Sequence, residues 1–105
     1  MLELIPHGKE NAISREELVR LTGLDDRTVR QEIARLRESG EIILSTSRQK
    51  GYWQSDDPVE INEYRIELKR REMSLARTNR NILKKLYERT GQRFTTVREH
   101  ERRIV

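Results

Sequence analysis

The sequence predicts a mainly α fold with a small β hairpin: two short helices around a glycine turn, then the hairpin, then one long C-terminal helix. Three observations carry this. Apolar residues recur at helical spacing on both sides of Gly23. A β-rich apolar run at residues 41–44 is separated from Tyr52 and Trp53 by a polar stretch ending in Gly51. No glycine or proline interrupts the chain after Pro58 until Gly91.

Residues 1–5 are apolar and are closed by Pro6 and Gly8, which suits a brief first helix; residues 7–12 read as a loop. Ser14 and Glu17 have the spacing of a capping box, in which each side chain satisfies the other's free backbone N–H. Leu18, Val19 and Leu21 then supply a buried stripe, and Gly23 ends the segment where the chain must take a positive φ. Asp25 is the N-cap of the next helix, and Asp26 stands favourably at the positive end of its dipole. Val29, Ile33 and Leu36 mark the inward face of this helix, and Gly40 stops it. Residues 41–44 and Tyr52-Trp53 form the hairpin strands, with Trp53 read as a core residue rather than a stacking platform. Asp57 and Pro58 suit the N-cap and first position of the final helix. That helix covers residues 58–90, about 33 residues or roughly 50 Å. The organisation expected is residues 1–57 as one domain, 58–90 as a long helix, and 91–105 as a basic tail, frayed or disordered.

Only 33% of the 105 residues are hydrophobic and 38% are charged, too little apolar material for a large core. Cysteine is absent, so disulfides and thiolate-ligated zinc are excluded. His7 and His100 sit in polar surroundings without metal-ligand spacing, and no metal or other cofactor is expected. There is no glycine-rich phosphate loop, nucleophile elbow or Ser-His-Asp set, so no residue is assigned a catalytic role and no enzyme is expected. No small-molecule ligand is evident. No apolar run suits a membrane span or a signal peptide, and the default expectation is a soluble cytoplasmic protein.

The net charge of +4 and the sequence pI of about 9.8 favour an anionic partner. The distribution is uneven. Residues 1–57 hold 9 Lys+Arg against 11 Asp+Glu, a net of −2, whereas residues 58–105 hold 13 against 7, a net of +6.

Two helices joined through Gly23 describe a helix-turn-helix, whose second helix enters the major groove of DNA while the first braces it. At about 100° per residue, the face opposite Val29, Ile33 and Leu36 carries Arg27, Gln31, Ala34 and Glu38. Thr28 and Arg35 flank it, and Arg30 lies at one side. Arg can bond guanine bidentately, Gln can do so with adenine, and Thr can meet a phosphate or a thymine methyl. The same arginines also suit a solvated helix face, as Arg48 and Lys50 at the hairpin tip also suit a role in solubility.

The string from Leu21 to Trp53 resembles the winged helix-turn-helix family, most of all the variant at the N-terminus of biotin-ligase repressors and in small phage-type DNA-binding proteins. The matching features are Thr22-Gly23-Leu24 at the turn, Val29 and Ile33 in the second helix, Gly40 after it, and Gly51-Tyr52 in the wing. The resemblance implies a winged helix-turn-helix followed by a long C-terminal helix. It implies that Asp26, Arg27, Arg30 and Gln31 lie where this family approaches bases, and that Arg48 and Lys50 on the wing reach phosphate. An aspartate repels phosphate, so Asp26 weakens binding or rejects wrong bases. The function expected is sequence-specific binding of double-stranded DNA, with transcription regulation as a dimer. The alternatives are a phage replication or packaging component, and a protein–protein adaptor on a winged scaffold.

In the long helix, Ile61, Leu68, Leu75 and Ile82 recur every seven residues, and Tyr64, Asn79 and Leu86 share their stripe. One helix cannot bury such a stripe alone. Its first part is expected to pack on the preceding domain. Leu68, Leu75, Asn79, Ile82 and Leu86 are expected to pair with a second copy, Asn79 fixing the register. Lys69, Arg70, Arg77, Arg80 and Lys84 on the opposite face suit either a second phosphate contact or a solvated surface. Glu67 and Arg71 are spaced for an exposed ion pair.

Overall fold

The computed structural model describes residues 1–46, 51–94, 97–98 and 101. The chain divides into two units, Met1–Arg65 and Ile66–Val105. In chain order the elements are β1 (Ile13–Ser14), α1 (Arg15–Thr22), α2 (Asp26–Glu38), β2 (Ile43–Ser45), β3 (Gly51–Gln54) and α3 (Pro58–Thr90). The architecture is a winged helix-turn-helix followed by a long C-terminal helix.

The helix boundaries follow the capping chemistry. The Ser14 hydroxyl accepts from the Glu17 backbone N–H, but the Glu17 carboxylate turns to Arg20 instead of back to Ser14, so only half of the expected capping box forms. A guanidinium one turn along the helix is the stronger partner for a carboxylate. Gly23, at φ 71°, closes α1 by donating to the Val19 carbonyl. This left-handed conformation is open to glycine without a Cβ penalty. The Asp25 carboxylate accepts from the Thr28 N–H at 2.7 Å and starts α2. Asp57 caps α3 through the Val59 N–H, with Pro58 in the first helical position.

The N-terminal segment differs from the expected helix. Residues Leu2–Leu4 form a single 3-10 turn, because a proline at position 6 disfavours helical backbone in the residue before it. Ile5 is nevertheless buried, and Gln54 ties the segment down. The Gln54 amide donates to the Ile5 carbonyl at 2.8 Å, and its backbone N–H donates to the Pro6 carbonyl. The stretch read as loop contains a second 3-10 turn, Lys9–Asn11.

The sheet has three antiparallel strands in the order β1-β3-β2, one more than the hairpin alone. Ile13 pairs with Tyr52 and Ser14 with Gly51, while Leu44 pairs with Trp53. A Cβ on Gly51 would stand 3.0 Å from the Ala12 Cβ, so the glycine lets β1 and β3 close up. One cluster of buried residues joins Ile5, Leu18, Val29, Ile33 and Ile43. Leu44 and Trp53 are also buried, outside that cluster, and the Trp53 indole N–H donates to Glu60 in the first turn of α3 at 2.8 Å. Arg37 lies 5.7 Å from the Tyr64 ring. Ile61 and Tyr64 are half-buried, in keeping with an α3 whose first turns belong to the N-terminal unit.

The other unit contains no buried residue among those described. Leu68, Leu75, Ile82 and Leu86 are exposed, Leu75 at 71% and Ile82 at 56%. Glu67 pairs with Arg70, three residues on, rather than with Arg71. Of the tail, Val97, Arg98 and Glu101 have helical backbone. No helix of the described residues is long and apolar enough to cross a membrane.

Candidate nucleic-acid interface

The two helices of the motif meet at a polar joint. Arg15, the first residue of α1, donates to the carboxylate of Asp26, the first residue of α2, at 2.5 Å. The same Asp26 accepts from Arg30, one turn along α2, at 2.8 and 2.5 Å. These bonds, that to Arg30 first, hold the Asp26 carboxyl below its usual range. Tyr52 on β3 and then Asp26 raise the Arg15 guanidinium above its ordinary value. Arg15 thus ties the start of α1 to the start of α2. The turn itself is tied by Thr22, whose hydroxyl donates to the Leu18 carbonyl and accepts from the Leu24 N–H.

α2 buries Val29 and Ile33 and turns Arg27, Arg30, Gln31, Ala34 and Arg35 to solvent. Thr28 is half-buried at the capped end. The exposed cations are not equivalent. Arg30 is held by Asp26, and Arg35 donates to Glu32 at 2.8 Å. Arg27 and Gln31 have no hydrogen-bond or ion-pair partner among the described residues, so both head groups are free for a ligand. Ala34 continues their face without bulk. A bare amide and a bare guanidinium one turn apart on a protruding helix have the donors and acceptors to read base edges.

Arg37 looks like one more surface cation in the sequence, but it works inward. Its guanidinium donates to the Ile43 carbonyl at 2.9 Å and the Ser45 hydroxyl at 3.1 Å, and lies 5.7 Å from the Tyr52 ring. It joins the end of α2 to the hairpin. Neither Arg15 nor Arg37 is marked by a local pattern, since their partners come from other elements. Arg48 and Lys50, expected on the wing, lie outside the described residues.

Two helices at a left-handed glycine turn, an exposed face on the second, and a three-stranded sheet behind them define the motif. A family model described as an HTH domain matches residues 1–53. The chain belongs to the HTH-domain family. Its first half is accordingly a helix-turn-helix DNA-binding domain. No curated protein and no solved structure matches the chain. Among the described residues, no group of His, Cys, Asp or Glu could hold a metal ion. The expected dimerisation residues Leu68, Leu75, Asn79, Ile82 and Leu86 all lie exposed on α3, outside the HTH match.

Proposed function

We propose that the protein binds double-stranded DNA sequence-specifically, with α2 in the major groove, and acts as a dimeric transcription regulator. The observation that carries this is the free pair Arg27 and Gln31 on the exposed face of the second helix, beside cations already spent on intramolecular bonds. Arg27, Arg30 and Gln31 contact bases, Thr28 and Arg35 contact the backbone or a thymine methyl, and Arg48 and Lys50 meet phosphate from the hairpin tip. Asp26 tempers non-specific attraction, because its charge sits among the arginines at the start of α2. The resemblance to biotin-ligase-repressor and phage-type winged domains supports the same assignment.

The exposed stripe of Leu68, Leu75, Ile82 and Leu86 supports pairing with a second copy through α3, with Asn79 setting the register. Paired helix-turn-helix units read two half-sites, so the target is expected to be palindromic.

Fluorescence anisotropy on mixed-sequence duplex DNA at several salt concentrations tests the assignment, with an Arg27→Ala/Arg30→Ala/Gln31→Ala variant alongside. Wild type is expected to show log K falling with log salt by about 0.9 per phosphate neutralised, and the variant to bind roughly tenfold or more weakly. Equal binding by both proteins would remove α2 from the interface.

A further inference from the structure

The positive charge of the chain is concentrated in one short stretch. Residues 58–72 hold four Lys+Arg and four Asp+Glu, whereas residues 73–94 hold six Lys+Arg and a single acid, Glu88. Among the described residues, two of the four cations in 58–72 are ion-paired, against one of the six in 73–94. Lys69 and Arg70 are neutralised by Glu72 and Glu67, and Glu88 is taken by Lys85. Arg77, Arg80, Lys84 and Arg93 have no acidic partner among the described residues. Residues 58–72 are balanced, as a solvated helix face is expected to be; residues 73–94 are not.

The end of the helix adds rings to these cations. Gly91, at φ 69°, stops α3 by donating to the Tyr87 carbonyl. Arg93 and Phe94 then share an open groove of about 600 Å³ with Arg80, Leu83, Lys84 and Tyr87. Tyr87 is 56% and Phe94 45% exposed, so both aromatic residues present surface to a ligand. Among the described residues, no carboxylate lines the groove. At about 100° per residue, Arg77, Arg80, Lys84 and Tyr87 lie opposite Leu75, Ile82 and Leu86, so pairing through that stripe leaves the groove open.

We propose that this groove binds single-stranded nucleic acid, independently of the helix-turn-helix. Arg80, Lys84 and Arg93 take the phosphates, and the bases stack on Tyr87 and Phe94. Duplex backbone needs the cations but has no use for the rings, since its bases are already stacked. An unpaired strand offers both a phosphate track and free π faces, the combination that stacking platforms in basic grooves exploit.

The test uses the full chain and a fluorescent short oligo-dT, with oligo-U as the arm that separates DNA from RNA. Wild type is expected to bind at least one of them. Tyr87→Leu/Phe94→Leu keeps apolar bulk without rings and is expected to weaken binding roughly tenfold, the effect expected of one stacked base. Arg80→Gln/Lys84→Gln/Arg93→Gln is expected to weaken binding and flatten its salt dependence by about 0.7 for each phosphate no longer neutralised. Circular dichroism is expected to show both variants as helical as wild type. Arg27→Ala/Arg30→Ala/Gln31→Ala is expected to bind the single strand as wild type does, whatever happens to its duplex affinity. The proposal is overturned if wild type binds neither strand, if the ring-free variant binds as tightly as wild type, or if the α2 variant loses the single strand.

Discussion

The two units of this chain solve opposite problems. Met1–Arg65 is poor in net charge but has its own core, built on Ile5, Leu18, Val29, Ile33 and Ile43. Ile66–Val105 carries the charge excess and buries no described residue. In the first unit the function of a cation is set by its partner: Arg15 and Arg37 hold elements together, Arg30 and Arg35 are paired, and Arg27 is free. In the second it is set by number, because residues 73–94 hold six Lys+Arg and the single acid Glu88. Net charge is therefore a poor guide to which cations are available to a ligand. A net-acidic domain can read a groove if the right two side chains are left unpaired, while a basic helix can be an unspecific anion surface.

The largest effect that would separate the two units is a cavity in the core. Leu18→Ala removes a fully buried side chain and is expected to cost about 2–5 kcal/mol, enough to melt the HTH domain in a small protein. Thermal denaturation followed by Trp53 fluorescence would register it, since Trp53 belongs to the same unit. The matching change in the other unit, Leu75→Ala, is expected to leave that transition within about 0.5 kcal/mol, because the side chain lies outside the unit whose core Trp53 reports on. A large loss from Leu75→Ala would mean that the two units are not independently stabilised.

Next in size is the effect on assembly. Leu75→Lys/Ile82→Lys places two charges in the exposed stripe and is expected to convert a dimer to a monomer in sedimentation equilibrium, with the Trp53 transition retained. Wild type sedimenting as a monomer would remove α3 as a pairing element.

Most of the fold was legible because it rests on local chemistry. The Ser14, Asp25 and Asp57 caps, the stop at Gly23 and the Val29-Ile33-Leu36 stripe are short-range signals, and each appears in the expected role. What was not legible depends on partners distant in sequence. β1 is two residues long and exists through Gly51 and Tyr52 across the sheet, leaving no alternation to detect. Tethering of the N-terminal segment depends on Gln54, and the α1–α2 joint on Arg15 and Asp26, eleven positions apart. The exposed face of α2 could be drawn from a helical wheel, but its division into free and paired cations could not. That division depends on rotamers and on Arg15, which the wheel does not contain.

A smaller effect addresses that division. Asp26→Asn releases Arg15 and Arg30 from their common carboxylate and is expected to raise duplex affinity a few-fold while narrowing the gap between specific and mixed-sequence DNA. Competition binding with both duplexes measures it; unchanged affinity for both would show that Asp26 faces away from the DNA.

The smallest is a pH effect. The carboxyls of Asp25 and Asp26 are held below the ordinary aspartate value of 3.8, so their contribution is present above that value and lost as pH falls through the lowered one. The melting temperature of the first unit is expected to decline below about pH 4, and less so in Asp26→Asn. An identical decline in the variant would show that the Arg15–Asp26–Arg30 joint contributes nothing.

The most direct measurement follows backbone amide resonances of the full chain during titration with duplex DNA. If α2 is the reading element, the largest shifts fall on residues 26–35, with Arg27 and Gln31 among them. Shifts confined to residues 66–94, with residues 26–35 unmoved, would contradict the assignment and leave the long helix as the site that meets DNA.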